Sequence, residues 1–410
     1  MKKTFPLSVN RLHLPFFLKY LWAGLTFLFL PTAGLTQVLP LHVDGSLIKD
    51  SNGKIIALRG VNHHGFLDVP DGAWDAPGQP LYSGMGHWNP EAVKKTLEDF
   101  HRVGFNVVRF HTIVDWWKSN PAAYQDTYRN LVYPEAYRQM IEDTVKWAGE
   151  RDLYVIFDFF ALKNVNGRQS GQESLPWAPW GKFPDVVKNC SEFISLWDSV
   201  ASTLGRYPNV LFELYNEPHG DASAEEEWFK FVKEVLPVIR SHSPNPVIVQ
   251  WDYNCWVNLD YPPPDHPAST LDWIEKHPLK AANVVYGAHL YRNSGGGAPG
   301  LAHRGTSKAE NLWERQDIEQ ALQLALFPKI VKQQQKPLLV TEIGAYLTNG
   351  EEDADREVKW LRNTLSILNE WRVGYVAWAW QSDQQLGHGM LHEGKPNQAG
   401  RIFLDSLKGR

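Results

Sequence analysis

Two glutamates at the ends of apolar segments are the strongest candidates for chemistry in this sequence. Glu217 follows the run "NVLFELYN" and precedes a proline, and Glu342 lies in "PLLVTEIGAY". A carboxylate is almost never fully buried unless it is paired, so both positions need an explanation. Two carboxyl groups in different surroundings, one protonated and one ionised, are what cleavage of a glycosidic bond requires. The sequence predicts such a site if the fold brings Glu217 and Glu342 together.

Eight short apolar runs alternate with helical patterns and indicate the elements that position these acids. Apolar strands separated by helices are typical of parallel pairing with helices outside, and eight of them predict an α/β fold of the (β/α)8 TIM barrel type with long loops after the strands. An open doubly wound sheet is the alternative, but "GVNHHGF" is not its glycine-rich phosphate turn. The "SNG" turn within residues 47–58 predicts a short N-terminal β-hairpin. The eight runs cover residues 55–62, 106–111, 153–160, 209–216, 246–252, 284–291, 337–346 and 374–380.

Alternation along each strand predicts which side chains face the barrel interior. In five strands one face collects polar or aromatic residues toward the C-terminal end, where barrel enzymes place their active sites. Instead of a role in the site, Arg109 has a purely structural alternative, the neutralisation of a buried Glu213. For His289 and Trp378 the alternative is packing in the core. The predicted inward sets are Val107, Arg109 and His111; Glu213, Tyr215 and Glu217; Val285, Gly287, His289 and Tyr291; Leu338, Val340 and Glu342; and Val376, Trp378 and Trp380.

These segments together resemble glycoside hydrolase family 5, a family of barrel glycosidases with catalytic glutamates on strands four and seven. The resemblance covers roughly residues 45–405, and its most specific segment is the Asn-Glu-Pro signature in "LFELYNEPHG". The segment around Glu342 is similar to the strand-seven nucleophile motif. Supporting segments, in chain order, are "RGVNHHGF", "NVVRFH", "GAHLY" and "GYVAWAW". The resemblance implies a glycosidase with no metal or organic cofactor.

The resemblance implies central roles for three residues. Glu217 corresponds to the acid/base and Glu342 to the nucleophile. Asn216 corresponds to the residue that hydrogen-bonds the sugar 2-hydroxyl, a contact that strengthens as the ring becomes oxocarbenium-like. The two carboxyl groups are then expected about 5 to 5.5 Å apart, which is the spacing of enzymes that retain the anomeric configuration.

Five further residues receive supporting roles from the same resemblance. Arg109 and Tyr291 are expected to donate hydrogen bonds to the nucleophile and to keep it ionised. His289 is expected near the acid/base, on the leaving-group side. Trp378 resembles the aromatic platform beneath the reacting sugar, and His64 is expected on the glycone side.

One position departs from the family pattern. The family commonly has a histidine two positions after the aspartate of strand three, whereas "IFDFF" places Phe160 there. The departure weakens the likeness to the typical cellulase subgroup and predicts an altered glycone subsite. It leaves the two glutamates untouched.

Tryptophan is the unusual component of the composition, with 18 residues. A sugar ring stacks its C–H face on indole, so tryptophans at strand ends suit an extended sugar-binding cleft. After Trp378, the candidates for substrate contact are Trp116, Trp117 and Trp256. The tryptophans at strand ends or in the loops after strands are Trp74, Trp88, Trp116, Trp117, Trp177, Trp180, Trp251, Trp256, Trp378 and Trp380.

Composition and charge narrow the class of partner. Hydrophobic residues at 43% and charged residues at 21% are ordinary for a soluble globular protein. A net charge of -5 without a basic run argues against nucleic acid as the partner, because neutralising phosphates requires clustered lysine and arginine. We therefore expect an uncharged or weakly charged partner. The resemblance implies that this partner is a β-linked polysaccharide or oligosaccharide, and we expect the protein to be a monomer.

The N-terminus predicts export. Basic residues precede an apolar run from Tyr20 to Leu30 and a stretch of small residues, a pattern that fits a secretory signal in residues 1–36 with cleavage between Ala33 and Gln37. The catalytic domain is then 37–410, secreted and free of the membrane after cleavage; a retained membrane anchor is the alternative. Export permits, but does not require, a disulfide between Cys190 and Cys255.

These observations predict a secreted retaining β-glycosidase, with β-1,4-glucan endoglucanase activity as the leading expectation. β-Mannanase and exo-β-glucanase activities are alternatives on the same fold. A non-catalytic carbohydrate-binding barrel and a barrel metallohydrolase using His63, His64 and His289 with an acid are alternatives of other classes. Adjacent histidines on a strand point to opposite faces, which disfavours the metal site.

Overall fold

The computed structural model describes most of the chain, in separate ranges. The chain divides into two compact units, Met1–Leu35 and Thr36–Arg410. Every described residue belongs to the second unit. The predicted signal in residues 1–36 therefore lies outside the described residues. The described ranges are 38–63, 90–120, 124–126, 131–133, 136–165, 168–170, 175–177, 185–251, 274, 276–292, 314–324, 327–347, 351–380 and 388–408.

Eight parallel strands close into a barrel, and each coincides with one of the predicted apolar runs. Each strand pairs with the next along the chain, and the eighth pairs with the first. This closure confirms the (β/α)8 prediction and removes the exposed sheet edges of an open sheet. The strands are β1 (Arg59–His63), β2 (Val107–Ile113), β3 (Tyr154–Ala161), β4 (Val210–Glu213), β5 (Val247–Val249), β6 (Val284–Tyr291), β7 (Leu338–Gly344) and β8 (Gly374–Ala377).

Helices with one buried face cover the barrel. The predicted helix 89–104 is α1, and Gly104 follows its end with a φ of 100° that favours glycine. Among the described residues no helix is long and apolar enough to cross a membrane. The helices are α1 (Pro90–Val103), α2 (Val114–Ser119), α3 (Tyr137–Gly149), α4 (Cys190–Leu204), α5 (Ala222–His242), α6 (Arg315–Leu324), a π-helical turn (Lys329–Gln333), α7 (Glu351–Glu370) and α8 (Gln398–Ser406).

The N-terminal hairpin is present but lies upstream of the predicted position. Its strands are Leu41–Asp44 and Leu47–Asp50, and its turn contains Gly45 with a φ of 59°. The predicted "SNG" turn also forms, but only an isolated bridge between Lys49 and Ile55 pairs the segment after it. Four residues on each side of Gly45–Ser46 pair with one another, whereas a single bridge follows the "SNG" turn. The hairpin therefore forms around Gly45–Ser46.

The barrel interior beneath the C-terminal ends of the strands is filled by aliphatic side chains. This layer includes Val107, Ile156, Leu211, Ile248, Val285, Leu339 and Val376, and a second cluster packs between the strands and the helices. Strands β1 and β2 come close at Gly60, where a Cβ would lie 1.7 Å from the Val107 carbonyl oxygen. The layer supports the polar residues above it and excludes water from beneath them.

Strict alternation was wrong at four positions of the predicted inward sets. Tyr215 packs edge-on against Phe193 of α4, and Trp380 packs against Phe100 of α1. Leu338 and Val340 also belong to the cluster between strands and helices, and Leu339 faces inward instead. Alternation holds only while the strand stays regular. The pairing of β7 shifts register after Val340, and β4 already ends at Glu213.

Candidate active site

A buried arginine on β2 organises the C-terminal mouth of the barrel. The Arg109 Nε lies 2.6 Å from Glu213, one terminal nitrogen lies 2.8 Å from Asp158, and the other lies 2.7 Å from Glu342. Burial alone would lower the pKa of Arg109, but these three carboxylates outweigh it and raise that pKa, so the guanidinium stays charged. Arg109 thus neutralises Glu213, as the structural alternative held, and also binds Glu342.

Glu342 accepts two strong hydrogen bonds at the end of β7. Arg109 donates to its Oε1 at 2.7 Å, and the Tyr291 hydroxyl donates to its Oε2 at 2.7 Å. Burial raises the pKa of Glu342 above the ordinary carboxyl value, and the nearby Glu213 adds to this, whereas Arg109 and Tyr291 lower it. The expected donors are therefore in place. They oppose the effect of burial without cancelling it, because the net shift is upward.

Glu217 lies across from Glu342 on an irregular segment after β4. The Asn216 backbone N–H donates to the Phe159 carbonyl at the end of β3, and Glu217 adopts a φ of 49° that is uncommon for residues other than glycine. This turn aims both side chains into the barrel mouth. The Glu217 side chain is 15% exposed and that of Glu342 only 5%, so the two carboxyl groups have different surroundings.

The His289 ring lies beside the carboxyl groups of Glu217 and Glu342 and contacts Glu217 more closely. Its Nδ1 lies 2.8 Å from the Glu217 Oε1 and 3.5 Å from the Glu342 Oε2. Burial, followed by the charge of Arg109 and the nearby His111, lowers the pKa of His289 well below its ordinary value, so the ring is neutral at pH 7. Ligand atoms of Glu217, His289 and Glu342 all lie within 4.8 Å of one another. This closeness suits attack on one atom of a bond and protonation of the other atom of the same bond.

One family model matches most of the chain. It is described as Cellulase (glycosyl hydrolase family 5), and it covers residues 50–384. The chain belongs to this cellulase family.

Individual relatives of the chain are distant. An endoglucanase from Clostridium saccharobutylicum is 25% identical over 251 residues, 61% of this chain and 43% of the relative. An endocellulase structure from the archaeon Pyrococcus horikoshii has a TM-score of 0.66 at 18% identity, covering 91% of this chain and 98% of that one. A Thermotoga maritima structure with a mannotriose substrate has a TM-score of 0.57 at 17% identity, covering 86% and 97%. The chain spans 43%, 45% and 57% of the length of three curated relatives.

Phe160, at the position where the family commonly has a histidine, forms an aromatic wall with His111 and Trp378. The Phe160 ring lies 4.1 Å from the ring of His111 and 5.7 Å from that of Trp378, with interplanar angles of 13° and 17°. Trp378 is half-buried beside them. A histidine at position 160 would bring a hydrogen-bonding group to this wall, whereas Phe160 presents only carbon. The wall therefore lacks a hydrogen-bonding group at position 160, although the His111 ring also stacks on Trp378 at 5.1 Å.

The other predicted aromatic contacts divide between the site and the core. Trp116 is half-buried and packs against the cluster that contains Phe160. Trp117 is fully buried and packs edge-on against Phe157, so the prediction that it contacts substrate was wrong. Its indole points into the layer between strands and helices because α2 begins directly after β2. His64 and Trp256 lie outside the described residues, as do Trp74, Trp88, Trp180 and Cys255. Cys190 has a free thiol.

Besides Asp158, two polar residues that were not predicted from the sequence belong to the site. Asn62 donates to the carbonyl oxygens of Thr341 and Ala377 and accepts a hydrogen bond from Arg109 at 3.0 Å. The Thr341 hydroxyl lies 3.1 Å from the His289 Nε2. Polar residues inside apolar runs were the available signal, since Asn62 ends "RGVN" and Thr341 interrupts "LLVTE".

The donor set of Glu217, His289 and Glu342 resembles a cation site in spacing only. Glu342 already binds the guanidinium of Arg109 and the hydroxyl of Tyr291. His63, which the metallohydrolase alternative required, instead packs edge-on against Phe100 at 5.5 Å on the helix side. The positive charge that a metal would supply beside Glu342 is thus provided by Arg109, and the donors fit poorly as a metal centre.

Proposed function

We propose that this chain is a secreted retaining β-glycosidase that cleaves β-1,4-linked glucan within the polysaccharide chain. The single observation that carries the proposal is the pair of carboxyl groups, with ligand atoms within 4.8 Å and with different hydrogen-bond partners. Retaining enzymes space the two groups at about 5 to 5.5 Å, whereas inverting enzymes need about 6.5 to 9.5 Å to admit a water.

In the first step, the Glu342 carboxylate attacks the anomeric carbon while Glu217 protonates the departing glycosidic oxygen. The bond from the anomeric carbon to that oxygen breaks, and an ester bond to Glu342 forms. Arg109 and Tyr291 hold the two Glu342 oxygens, so the carboxylate needs little reorientation. The first product leaves as an alcohol that carries the former Glu217 proton.

In the second step, Glu217 accepts a proton from water, and the resulting nucleophile attacks the anomeric carbon. The ester bond to Glu342 breaks, the carboxylate is restored, and the sugar leaves with its original configuration after two inversions. Glu217 is again protonated, ready for the next cycle.

Asn216 is oriented to contact the sugar. Its side-chain oxygen lies 2.8 Å from an Arg109 nitrogen. Arginine can only donate, so the amide oxygen must face Arg109 and the amide NH2 is turned away from it. That group would donate to the 2-hydroxyl beside the anomeric carbon, and this contact strengthens in the transition state.

The choice of polysaccharide rests on the names of the relatives and on the substrate bound in one solved neighbour. Curated relatives named endoglucanases favour β-1,4-glucan, and the neighbour solved with mannotriose makes β-mannan the second candidate. The test is hydrolysis of carboxymethyl cellulose, lichenan, laminarin, xyloglucan and galactomannan, with product length measured over time. A fast fall in viscosity and mixed oligosaccharides from carboxymethyl cellulose would support the proposal. Release of a single short product would indicate exo action, and binding without new reducing ends would overturn the enzyme assignment.

Secretion and a monomeric state rest on the sequence. The apolar run from Tyr20 to Leu30 after basic residues supports export. Sequencing the N-terminus of protein recovered from outside the producing cell would test it, and a mature chain beginning near residue 37 is expected. Light scattering on the same sample would measure the molecular mass, and a dimer mass would contradict the monomer proposal.

A further inference from the structure

We propose that Thr341 is a positioning residue that fixes the tautomer of His289 and thereby keeps Glu217 in its protonated, proton-donating form. The inference rests on the role of Glu217 as the acid/base in the function proposed above. It extends that role to a buried chain of hydrogen bonds behind the carboxyl group.

The chain runs unbroken through four side chains. The Thr341 hydroxyl lies 3.2 Å from the Glu213 Oε1, and the His289 Nε2 lies 3.1 Å from the same hydroxyl. On the other side of the ring, the His289 Nδ1 lies 2.8 Å from the Glu217 Oε1. Glu213, Thr341 and His289 are fully buried, so water does not interrupt these contacts.

The charge state of Glu213 determines where the protons of Thr341 and His289 lie. Glu213 accepts from the Nε and a terminal nitrogen of Arg109, which marks it as a carboxylate. The single Thr341 proton is therefore donated to Glu213, and the Thr341 oxygen then offers only lone pairs to His289. The His289 Nε2 must carry a proton to complete that contact.

A neutral His289 ring then has no proton left for the Nδ1 atom. Burial disfavours the charged form of the ring most, and Arg109 and His111 from β2 add to this effect. Glu342 from β7, whose Oε2 lies 3.5 Å from Nδ1, favours the charged form, but the pKa of His289 is still lowered well below its ordinary value. Arg109 is itself held by Asp158 from β3. Tyr291 on β6 donates to Glu342. The Nδ1 lone pair therefore accepts from Glu217, and this contact requires Glu217 to be protonated.

The irregularity of β7 makes this chain possible. The register between β6 and β7 shifts between Ala288 and His289, where the next aligned pair is His289 with Glu342. The shift lets two consecutive residues, Thr341 and Glu342, both contact groups inside the barrel. One strand thus holds both the nucleophile and the residue that sets the protonation of its partner.

The chain also serves the second half of the reaction. After Glu217 gives its proton to the leaving oxygen, its carboxylate faces the lone pair of Nδ1, which is an unfavourable contact. Taking a proton from the attacking water relieves the contact, so the same chain favours recovery of the proton.

Thr341→Val and Thr341→Ser are the matched variants that test the proposal. Valine cannot accept from Nε2, so the ring is expected to move its proton to Nδ1 and to donate to an ionised Glu217. The alkaline limb of kcat/KM on an unactivated cello-oligosaccharide should then fall by about one pH unit, which corresponds to about a tenfold change in the ionisation constant of Glu217. Serine should restore it. An unchanged alkaline limb in Thr341→Val, or a loss that serine does not rescue, would overturn the proposal.

Two further measurements separate this role from a merely structural one. A dinitrophenyl cellobioside needs no proton for its leaving group, so its hydrolysis should change little in Thr341→Val; an equal loss on both substrates would instead indicate disturbance of Glu342. Nitrogen NMR of protein labelled in histidine should show His289 as the Nε2–H tautomer in the wild type and the Nδ1–H tautomer in Thr341→Val, with the signal assigned by its absence in His289→Gln. This readout needs no turnover, so it stands even if no β-glucan is cleaved, and identical tautomers in both proteins would refute the relay.

Discussion

Glu217 and Glu342 are the same residue type, and their hydrogen-bond partners divide the chemistry between them. Glu342 receives a charged donor and a hydroxyl donor, which stabilise negative charge. Glu217 meets a neutral imidazole and stays more exposed, which suits an acid that exchanges its proton with substrate and water. Each residue can therefore be tested by a reaction that needs only one of the two functions.

Replacing either glutamate should separate nucleophile from acid. Glu217→Ala is expected to lose about 10²- to 10⁴-fold in rate on cello-oligosaccharides, the usual contribution of a general acid, while keeping formation of the glycosyl-enzyme from a dinitrophenyl cellobioside. Glu342→Ala should form no glycosyl-enzyme from either substrate. Burst kinetics and mass spectrometry of the intact protein measure this step. Equal residual rates for both variants on the activated substrate would contradict the assigned roles.

The Tyr291 hydroxyl should set the acidic limb of the activity profile. Its hydrogen bond lowers the pKa of Glu342 against the upward effect of burial, so Tyr291→Phe raises that pKa further. A nucleophile with a higher pKa ionises only at higher pH, and the acidic limb of kcat/KM should move upward. Tyr286→Phe is the control on the same strand, because Tyr286 belongs to the cluster between strands and helices. A shift in the control, or none in Tyr291→Phe, would contradict this explanation.

The sequence predicted individual residues well where a motif gave their identity and poorly where only a strand pattern was available. Glu217, Glu342, Arg109 and Tyr291 were named in advance, and the structure brings them together. Trp117 was misplaced because a strand end does not reveal the direction of the helix that follows. Thr341 was missed because its importance depends on contacts with His289 and Glu213, which lie far away along the chain.

At the scale of elements, a buried ion pair joins the ends of two site strands to a helix. Arg292 follows Tyr291 at the end of β6 and donates to Glu357 of α7 at 2.9 Å. The other Glu357 oxygen accepts from the Tyr346 backbone N–H after β7. The pair therefore fixes the backbone on both sides of the Tyr291–Glu342 hydrogen bond.

Breaking this pair from one side should destabilise the protein strongly. Both side chains are nearly fully buried, so Glu357→Ala leaves the Arg292 charge without its carboxylate and should lower the free energy of unfolding by about 3 to 5 kcal/mol. The double variant Arg292→Leu with Glu357→Leu should lose less, because no charge remains buried. Urea unfolding measures both. Asp405→Ala, which breaks an exposed pair with Lys408, is the control and should leave the midpoint unchanged.

Strand pattern predicted the elements better than it predicted their details. The apolar runs of β6 and β7 gave strands at nearly the observed bounds, since both are long and buried on both faces. The facing of Leu338 and Val340 failed because the register shift in β7 depends on how neighbouring strands pair. Pairing is a property of the closed sheet, and no single strand's sequence contains it.

At the scale of the whole molecule, the closed barrel sets the distance between the two acids. β4 and β7 are separated by two strands around the barrel, and their C-terminal ends face one mouth. A fold built from the same layers persists at 18% identity to a solved relative, because barrel closure requires apolar strands and helices more than particular residues. The proposed function depends instead on the few polar residues at the mouth.

The stereochemistry of the product follows from this spacing. One oxygen of each carboxyl group lies within 4.8 Å of the other, which is closer than the spacing of about 6.5 to 9.5 Å that inverting enzymes need to admit a water, so we expect hydrolysis to pass through the glycosyl-enzyme with two inversions. Proton NMR of a fresh digest of a β-linked cello-oligosaccharide should therefore show the β-anomer first and the α-anomer only later, as the free sugar mutarotates. Glu342→Gly with added azide is the matched control, since azide can replace the carboxylate and should give the α-glycosyl azide. Initial release of the α-anomer by the wild type would mean single inversion, and the distance argument would then be wrong.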